Sequence, residues 1–312
     1  MHTVPELFRR HSRNPILHRG NWPYQVNSVF NPGAAMVDRE VVLLVRAEDR
    51  RGLSHLTVAR SANGVSGWRV ESTPAILPGT SQTDEWGVED PRLTFLADRG
   101  EWAAVFTEYS RTGPRIGFAL TSDFRKFVRM SPKVGPDGKS GDKDAALFPR
   151  KIGGRWAMIH RPHVDDTSDM WISFSDDLET WSDSERLLSA REGTWWDAEK
   201  IGLSTPPLET RDGWLVMYHG ARNTPGGCLY RAGLALFDAD DPRKLLGRTD
   251  EWIFGPEAEY EVRGDVGNVV FPCGWVADGN MVFMYYGAAD TCVAVASGSL
   301  TEMLKFVKEE AC

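Results

Sequence analysis

Apolar runs along this chain are short, and each ends in a polar or aromatic residue before a Ser- or Asp-rich turn. Five segments share that pattern: REVVLLVRAEDRRGLSHLTVARSANGVSGW, DRGEWAAVFTEYSRTGPRIGFALTSDFRKF, IGGRWAMIHRPHVDDTSDMWISFSDDLETW, RDGWLVMYHGARNTPGGCLYRAGLALFDADDPRKL and ADGNMVFMYYGAADTCVAVASGSLTEML. Short runs rich in Val, Ile, Phe, Trp and Tyr, bounded by Gly, Asp and Ser, predict strands. The starts recur at intervals of roughly 50–65 residues, the range of propeller blades. Strand-dense sequence without alternating helices argues against a parallel α/β sheet. Radial repetition of small antiparallel sheets accounts for the repeat and protects strand edges. The expected fold is all-β, a five-bladed β-propeller with a C-terminal helix, spanning residues 1–312 as one catalytic domain. The helix is predicted in SLTEMLKFVKEEA, where Leu300, Met303, Leu304 and Val307 fall on one face. The segment Ser131 to Lys143 is expected to be a long surface loop, and no linker divides the chain.

Aligning the five repeats brings Arg46, Glu108, His160, His219 and Tyr286 to nearly the same position. If that position lies on the innermost strands, their side chains share one central pocket. Arg and His donate to oxyanions and sugar hydroxyls, so such a rim suits a polyol or phosphate ligand. Two further segments are dense in charge. WGVEDPRL holds Glu89, Asp90 and Arg92 after a Trp-Gly turn, and DKDAALFPR holds Asp142, Lys143, Asp144 and Arg150. A carboxylate beside a cation has a depressed pKa, whereas one in an apolar pocket has a raised pKa and can act as an acid. His163, Asp165, Asp166 and Asp169 in HVDDTSD are read as a turn rather than a metal site, because Ser, Thr and Asp clusters make turns.

Composition narrows the function classes. Hydrophobic residues make up 41%, enough for a sizeable core. A net charge of −8 without a Lys/Arg run argues against a nucleic-acid partner. Cys228, Cys273, Cys292 and Cys312 show no CxxC pairing, so neither a disulfide framework nor a zinc site is expected. No signal peptide and no run of about 18 apolar residues is visible, so a cytoplasmic location without membrane association is expected. Twelve Trp and seven Tyr serve mainly as core, although aromatic faces also stack on sugars. No HExxH, GxSxG, P-loop or EF-hand pattern is present.

The segments VNSVFNPGAA, LLVRAED, GVEDPRL, DKDAALFPRKIGGRWAMIHRP, GWLVMYHGA, EYEVRGDVGNVVFPCG and YYGAADT, in that order, resemble glycoside hydrolase family 130. That family comprises β-mannoside phosphorylases and some β-mannosidases on a five-bladed β-propeller. The resemblance implies that Asp90, the Asp of an E/Y-D-P-R motif, is the catalytic acid. It implies that Asn27, Ser28, Arg46, His160, Arg161 and Asp290 line the mannosyl site. It further implies that Arg46, Lys143, His219 and Tyr230 hold inorganic phosphate, with Arg111 or Arg115 as a further contact. Phosphate is then a co-substrate, and no other cofactor and no metal are implied. The expected chemistry is single-step inversion, with the proton relayed through the mannosyl 3-hydroxyl and α-mannose 1-phosphate as product. Phosphate replaces the activated water of an inverting glycosidase, so no second catalytic carboxylate is needed. Phosphorylases of the family often read KIGAGPPP where this chain reads KIGLSTPPL, which leaves the acceptor sugar open.

Three readings follow. The first is a phosphorylase of β-mannobiose, mannosyl-glucose or short β-manno-oligosaccharides. The second is an inverting β-mannosidase, which requires a base about 6.5–9.5 Å from Asp90. Glu199, Glu259 and Glu261 are its candidates. The third is a non-catalytic propeller that binds a glycan or protein, since propellers host many functions. The C-terminal helix is free to cap the fold or to pack on a second copy, so a homo-oligomer is among the expectations.

Overall fold

The computed structural model describes residues 6–132, 134, 141–164, 168–225 and 227–310. The fold is mostly β. After β1 (Arg9–Arg10) come five antiparallel meanders. The first contains β2 (Ser28–Val37), β3 (Glu40–Glu48), β4 (Ser54–Ser61) and β5 (Arg69–Val70). The second contains β6 (Gly87–Leu96), β7 (Glu101–Ser110), β8 (Gly113–Thr121) and β9 (Val128–Met130). The third contains β10 (Asp142–Leu147), β11 (Trp156–Pro162), β12 (Met170–Ser175) and β13 (Ser182–Leu188). The fourth runs β14 (Lys200–Leu203), β16 (Gly213–Thr224), β17 (Gly227–Phe237) and β18 (Leu245–Arg248), with β15 (Leu208–Thr210) also paired to β16. The fifth runs β19 (Val270–Asp278), β20 (Met281–Ala288), β21 (Cys292–Ser299) and then β1 from the N-terminus. Meanders one and two are joined by a single parallel pair, Ser54 with Gly87.

The strands are apolar on both faces because hydrophobic cores lie between successive sheets. Val42 and Leu44 meet Ala104 and Phe106 between meanders one and two. Val105 and Phe118 meet Leu147 and Met158 between two and three. Ile159 and Ile172 meet Val216 and Tyr218 between three and four. Met217 and Leu234 meet Val282 and Met284 between four and five. Leu43 and Val45 meet Tyr285 and Val295 between five and one. Such strands read as continuous apolar runs rather than as alternating ones.

The N-terminal strand is fastened by charge as well as by pairing. Arg10 donates from Nε and Nη2 to both oxygens of the buried Glu261, at 2.8 and 2.9 Å. Glu261 lies in the short helix α1 (Glu259–Val262) and also accepts from the Tyr286 hydroxyl at 2.7 Å. Helix α2 (Leu300–Glu309) buries Met303, Leu304 and Val307 and packs on β17, β18 and β21 of its own chain.

Two expectations need correction. The five sequence repeats begin at β3, β7, β11, β16 and β20, which are second strands; another strand precedes each of them in its sheet. Asp142 and Lys143, placed in a loop by sequence, open β10. Residues 135–140 of that loop lie outside the described residues.

Candidate active site

The site is built on irregularities in the first strands. The register of β2 slips between Phe30 and Gly33, that of β6 between Glu89 and Arg92, and that of β10 between Lys143 and Ala146. Each slip contains one polar residue in the left-handed backbone region: Asn31 at φ +45°, Asp90 at +51° and Asp144 at +53°. Asn and Asp tolerate this conformation better than other non-glycine residues. A bulge turns a side chain out of the regular alternation, so it re-aims these three groups. Asn31 Nδ2 donates to Asp90 Oδ1 at 2.8 Å, which shows that adjacent bulges meet.

Asp90 shares its Oδ1 with Arg46, whose Nη1 donates at 3.0 Å. Arg46 also donates to Glu89 Oε1 at 3.1 Å and to Ser54 Oγ at 2.9 Å, and its guanidinium lies 4.5 Å over the Phe30 ring. Burial alone would lower the Arg46 pKa, but Glu89, Asp90 and Asp290 around it hold it firmly charged. Burial raises the Glu89 carboxyl, against the pull of Arg46. Burial likewise pushes Asp290 up to about 6; Arg46 opposes this, while Asp90, Glu48 and Glu89 add to it. Several carboxyl groups thus share one guanidinium, an arrangement that favours keeping a proton on one of them.

A second cluster surrounds Asp144. It accepts from Arg161 Nε at 2.7 Å and from Arg92 Nη2 at 3.5 Å, and His219 Nε2 stands 3.6 Å away. Burial would raise this carboxyl, but Arg161, His219, Arg92 and Lys143 hold it well below the usual range. His219 is pushed down to about 3, by burial first and then by Arg161, Arg92 and Lys200, despite Asp144. A value that low leaves an uncharged imidazole at neutral pH. Its buried Nδ1 has no partner among the described residues. The ring contacts Phe271 at 4.7 Å and Tyr230 at 6.0 Å between centroids, and Lys200 Nζ lies 5.0 Å over the Tyr230 ring.

Arg92 connects the two clusters. It is 1% exposed, and it donates to the Asp90 carbonyl at 3.0 Å, to Ser204 O at 2.7 Å and to Leu203 O at 2.6 Å. One buried guanidinium therefore ties β6 to β10 and to the end of β14.

Of the residues expected from sequence, Arg46, Asp90 and Asp290 come together, as do Arg161, His219 and Tyr230. Lys143 joins them electrostatically, acting on both Glu89 and Asp144. Asn27 and Ser28 lead into β2; Asn27 Nδ2 reaches Asp265 at 3.1 Å, and the buried Ser28 hydroxyl has no partner among the described residues. His160 is not delivered to the site. It is fully buried, with Nδ1 on Asp142 and Nε2 on Ser173, both at 2.7 Å, so neither nitrogen is left for a sugar. Its neighbour Arg161 faces the site instead. Glu108 is taken by Arg129 and Thr83, and Tyr286 by Glu261. Arg115 Nη1 donates to Pro114 O, and Arg111 is exposed in the β7–β8 turn.

Two of the three carboxylates weighed as hydrolytic bases are engaged elsewhere. Glu261 is consumed by Arg10 and Tyr286, and the exposed Glu259 pairs with Arg263 at 3.2 Å. Glu199 is exposed in a depression with Arg191 and Arg222. In HVDDTSD, Asp169 pairs with Arg186 at 3.1 Å, while Asp165 and Asp166 lie outside the described residues. Among the described residues no group of three or more His, Cys, Asp or Glu side chains is placed to hold a metal. Sequence reasoning missed Asn31 and Lys200. The signal for Asn31 was its Asn-Pro step in FNPG, which parallels the Asp-Pro step in EDPR.

A family model described as beta-1,4-mannooligosaccharide phosphorylase matches residues 2–309. The chain is 32% identical to a beta-1,4-mannooligosaccharide phosphorylase of Ruminococcus albus, over 97% of this chain and 91% of that one. It is 35% identical to a beta-1,2-mannobiose phosphorylase of a Thermoanaerobacter species, over 93% and 97% of the two chains. Its fold superposes on the beta-1,2-mannobiose phosphorylase of Listeria innocua, solved with beta-1,2-mannobiose, with a TM-score of 0.87 and 28% identity over 97% and 99% of the chains. The ordered motifs, the matched length and the superposition agree: this chain belongs to glycoside hydrolase family 130.

Proposed function

We propose that the protein is an inverting phosphorylase of β-mannosides, with Asp90 as its acid and inorganic phosphate as its attacking group. The observation that carries this reading is the donor-rich cluster around Asp144, which Arg92 ties to the Asp90 main chain. Arg161, Lys143, Lys200 and the neutral His219 and Tyr230 offer donors suited to a phosphate. The carboxylates weighed as hydrolytic bases are paired elsewhere or stand in another depression. Asp90 supplies a proton towards the leaving oxygen by way of the mannosyl 3-hydroxyl. Phosphate attacks the anomeric carbon from the opposite face and yields α-mannose 1-phosphate. Asp144 holds Arg161 in place without competing for protons, because its surrounding cations keep it ionised.

The architecture that supports this is a five-bladed β-propeller formed by the whole chain as one catalytic domain. In this reading the five meanders are the blades and β2, β6, β10, β14 and β19 line the axis. In support, β2 packs on β6 and β19, β6 packs on β10, and β10 packs on β14. A depression at the opposite end of these strands is lined by Ala34, Leu93, Pro149, Pro206 and Trp275, from or just beyond all five. The cysteines described are unpaired and no described helix is long and apolar enough to cross a membrane, which accords with a cytoplasmic enzyme.

The test is incubation with β-1,2- and β-1,4-mannobiose, with and without phosphate. The expected result is phosphate-dependent release of mannose 1-phosphate. Equal release of free mannose in both conditions, with no sugar phosphate, establishes hydrolysis instead.

A further inference from the structure

Trp86 and Tyr109 stand exposed at the mouth of the second meander. Trp86 is 44% exposed and Tyr109 is 37% exposed, with ring centroids 6.0 Å apart at an interplanar angle of 40°. Large aromatic side chains held in solvent call for an explanation when they are clustered and rigidly mounted. The mounting here is rigid. The Trp86 amide donates to the Tyr109 carbonyl at 2.9 Å, and Gly87 pairs with Tyr109 in the sheet. The turn before Trp86 is gathered around the fully buried Asp84. Asp84 accepts from the amides of Gly79 and Ser81 at 3.1 and 2.9 Å, from the Thr80 hydroxyl at 2.9 Å and from Arg129 at 2.7 Å.

The same strand leads from this pair into the reaction site. Trp86 immediately precedes β6, and Asp90 lies four residues further on, at most about 13 Å along an extended strand. That limit places Trp86 within a few sugar units of Asp90. A chain leaving the site along β6 runs towards Trp86, and a longer chain has more units to place there. Aromatic rings with a polar edge suit the alternation of C–H faces and hydroxyls on a pyranose. Trp195, the other exposed tryptophan near the site, has Arg191 packed 4.4 Å over its ring and stands in a different loop.

We infer that Trp86 and Tyr109 form an outer sugar-binding platform that takes the distal units of a β-manno-oligosaccharide longer than a disaccharide. This rests on reading Asp90 as the acid of a β-mannoside-cleaving enzyme and specifies its substrate class: chain length is sensed at the rim.

The experiment compares disaccharide and tetrasaccharide in both the β-1,2- and β-1,4-linked series. It measures kcat/KM with the wild type and with Trp86→Ala, Trp86→Phe and the double variant Trp86→Ala/Tyr109→Ala. It also measures calorimetric binding to the same proteins carrying Asp90→Asn. The tetrasaccharide-to-disaccharide ratio is expected to fall at least ten-fold in the double variant and to be largely restored by Trp86→Phe, in both kcat/KM and affinity. Equal losses on both substrates, or no loss, overturn the platform while leaving the proposed reaction standing. Wild-type protein that neither cleaves nor binds any of the four sugars overturns both readings.

Discussion

Asp90 and Asp144 occupy the same position in neighbouring sheets, at φ +51° and +53°, and the Arg92 guanidinium reaches both. Their surroundings send them to opposite tasks. Asp144 sits among Arg161, Arg92, Lys143 and His219 and is held ionised. Asp90 stands with Arg46 on one side and with Glu89 and Asp290 nearby, where carboxyl groups compete for one cation. Holding non-glycine residues in the left-handed region costs of order 1 kcal/mol or more each, and such residues cluster at functional sites.

The first prediction concerns Asp90 as the proposed acid. Asp90→Asn keeps the shape and the Asn31 neighbour but removes the transferable proton. Turnover of mannobiose is expected to fall about 10²–10⁴-fold, the usual contribution of a general acid. An aryl β-mannoside whose leaving group needs no proton is expected to lose much less. Equal loss on both substrates in steady-state assays would count against proton donation as the role of Asp90.

The phosphate cluster makes a different prediction. In the proposed reading Arg161→Ala or Lys143→Ala removes a donor to the anion, although the resemblance assigns Arg161 to the mannosyl site and only Lys143 to phosphate. The KM for phosphate is expected to rise about ten-fold or more, equivalent to roughly 1.4 kcal/mol, with a smaller change in the KM for mannobiose. Initial rates over a grid of both substrates separate the two constants. A selective rise in the mannobiose KM would reassign these residues to the sugar.

Much of the fold was legible because strands buried between sheets write a strong signal. Strands such as VVLLV in β3 and WLVMY in β16 are buried on both faces and stand out as apolar runs. The first strands were harder to see for the reason that makes them functional. In β2 and β6 an Asn-Pro or Asp-Pro step and a register slip interrupt the run, and in β10 the sequence DKD begins with charge. Local propensity argues against a strand at each of these places, and packing against neighbouring sheets overrides it. The one-residue uncertainty in the repeat alignment mattered for the same reason. Adjacent strand residues face opposite sides, so a slip of one exchanges the buried His160 for the site-facing Arg161. Lys200 opens the KIG that the family shares, but its place over the Tyr230 ring on another strand was not written in the sequence.

Arg92 supports a prediction about stability. Its donors satisfy main-chain carbonyls of Asp90, Leu203 and Ser204 as well as Asp144, all in the interior. Arg92→Met leaves those carbonyls without their donor and takes one of its cations from the buried Asp144, which keeps Arg161. Unfolding free energy is expected to drop by about 3–5 kcal/mol, the range for removing one partner of a buried ion pair. Urea denaturation checks this, and a loss under 1 kcal/mol would show that water or rearrangement replaces the guanidinium.

Asp290 predicts how stability depends on pH. Its carboxyl is raised to about 6 by burial, with Arg46 opposing and Asp90, Glu48 and Glu89 adding to the rise, whereas its ordinary value is 3.8. Between those two values the folded protein binds the proton more tightly than the unfolded chain does. The contribution of Asp290 to stability therefore falls as pH rises from about 4 to about 6, and that loss is complete above the folded value. A shift of this size corresponds to at most about 3 kcal/mol. Asp290→Asn removes the titration, so its stability relative to wild type is expected to improve progressively across that window and then level off. Denaturation curves for the two proteins between pH 4 and pH 7.5 give the difference directly. A difference independent of pH would mean that Asp290 titrates alike in the folded and unfolded chains, and that Arg46 fully compensates for its burial.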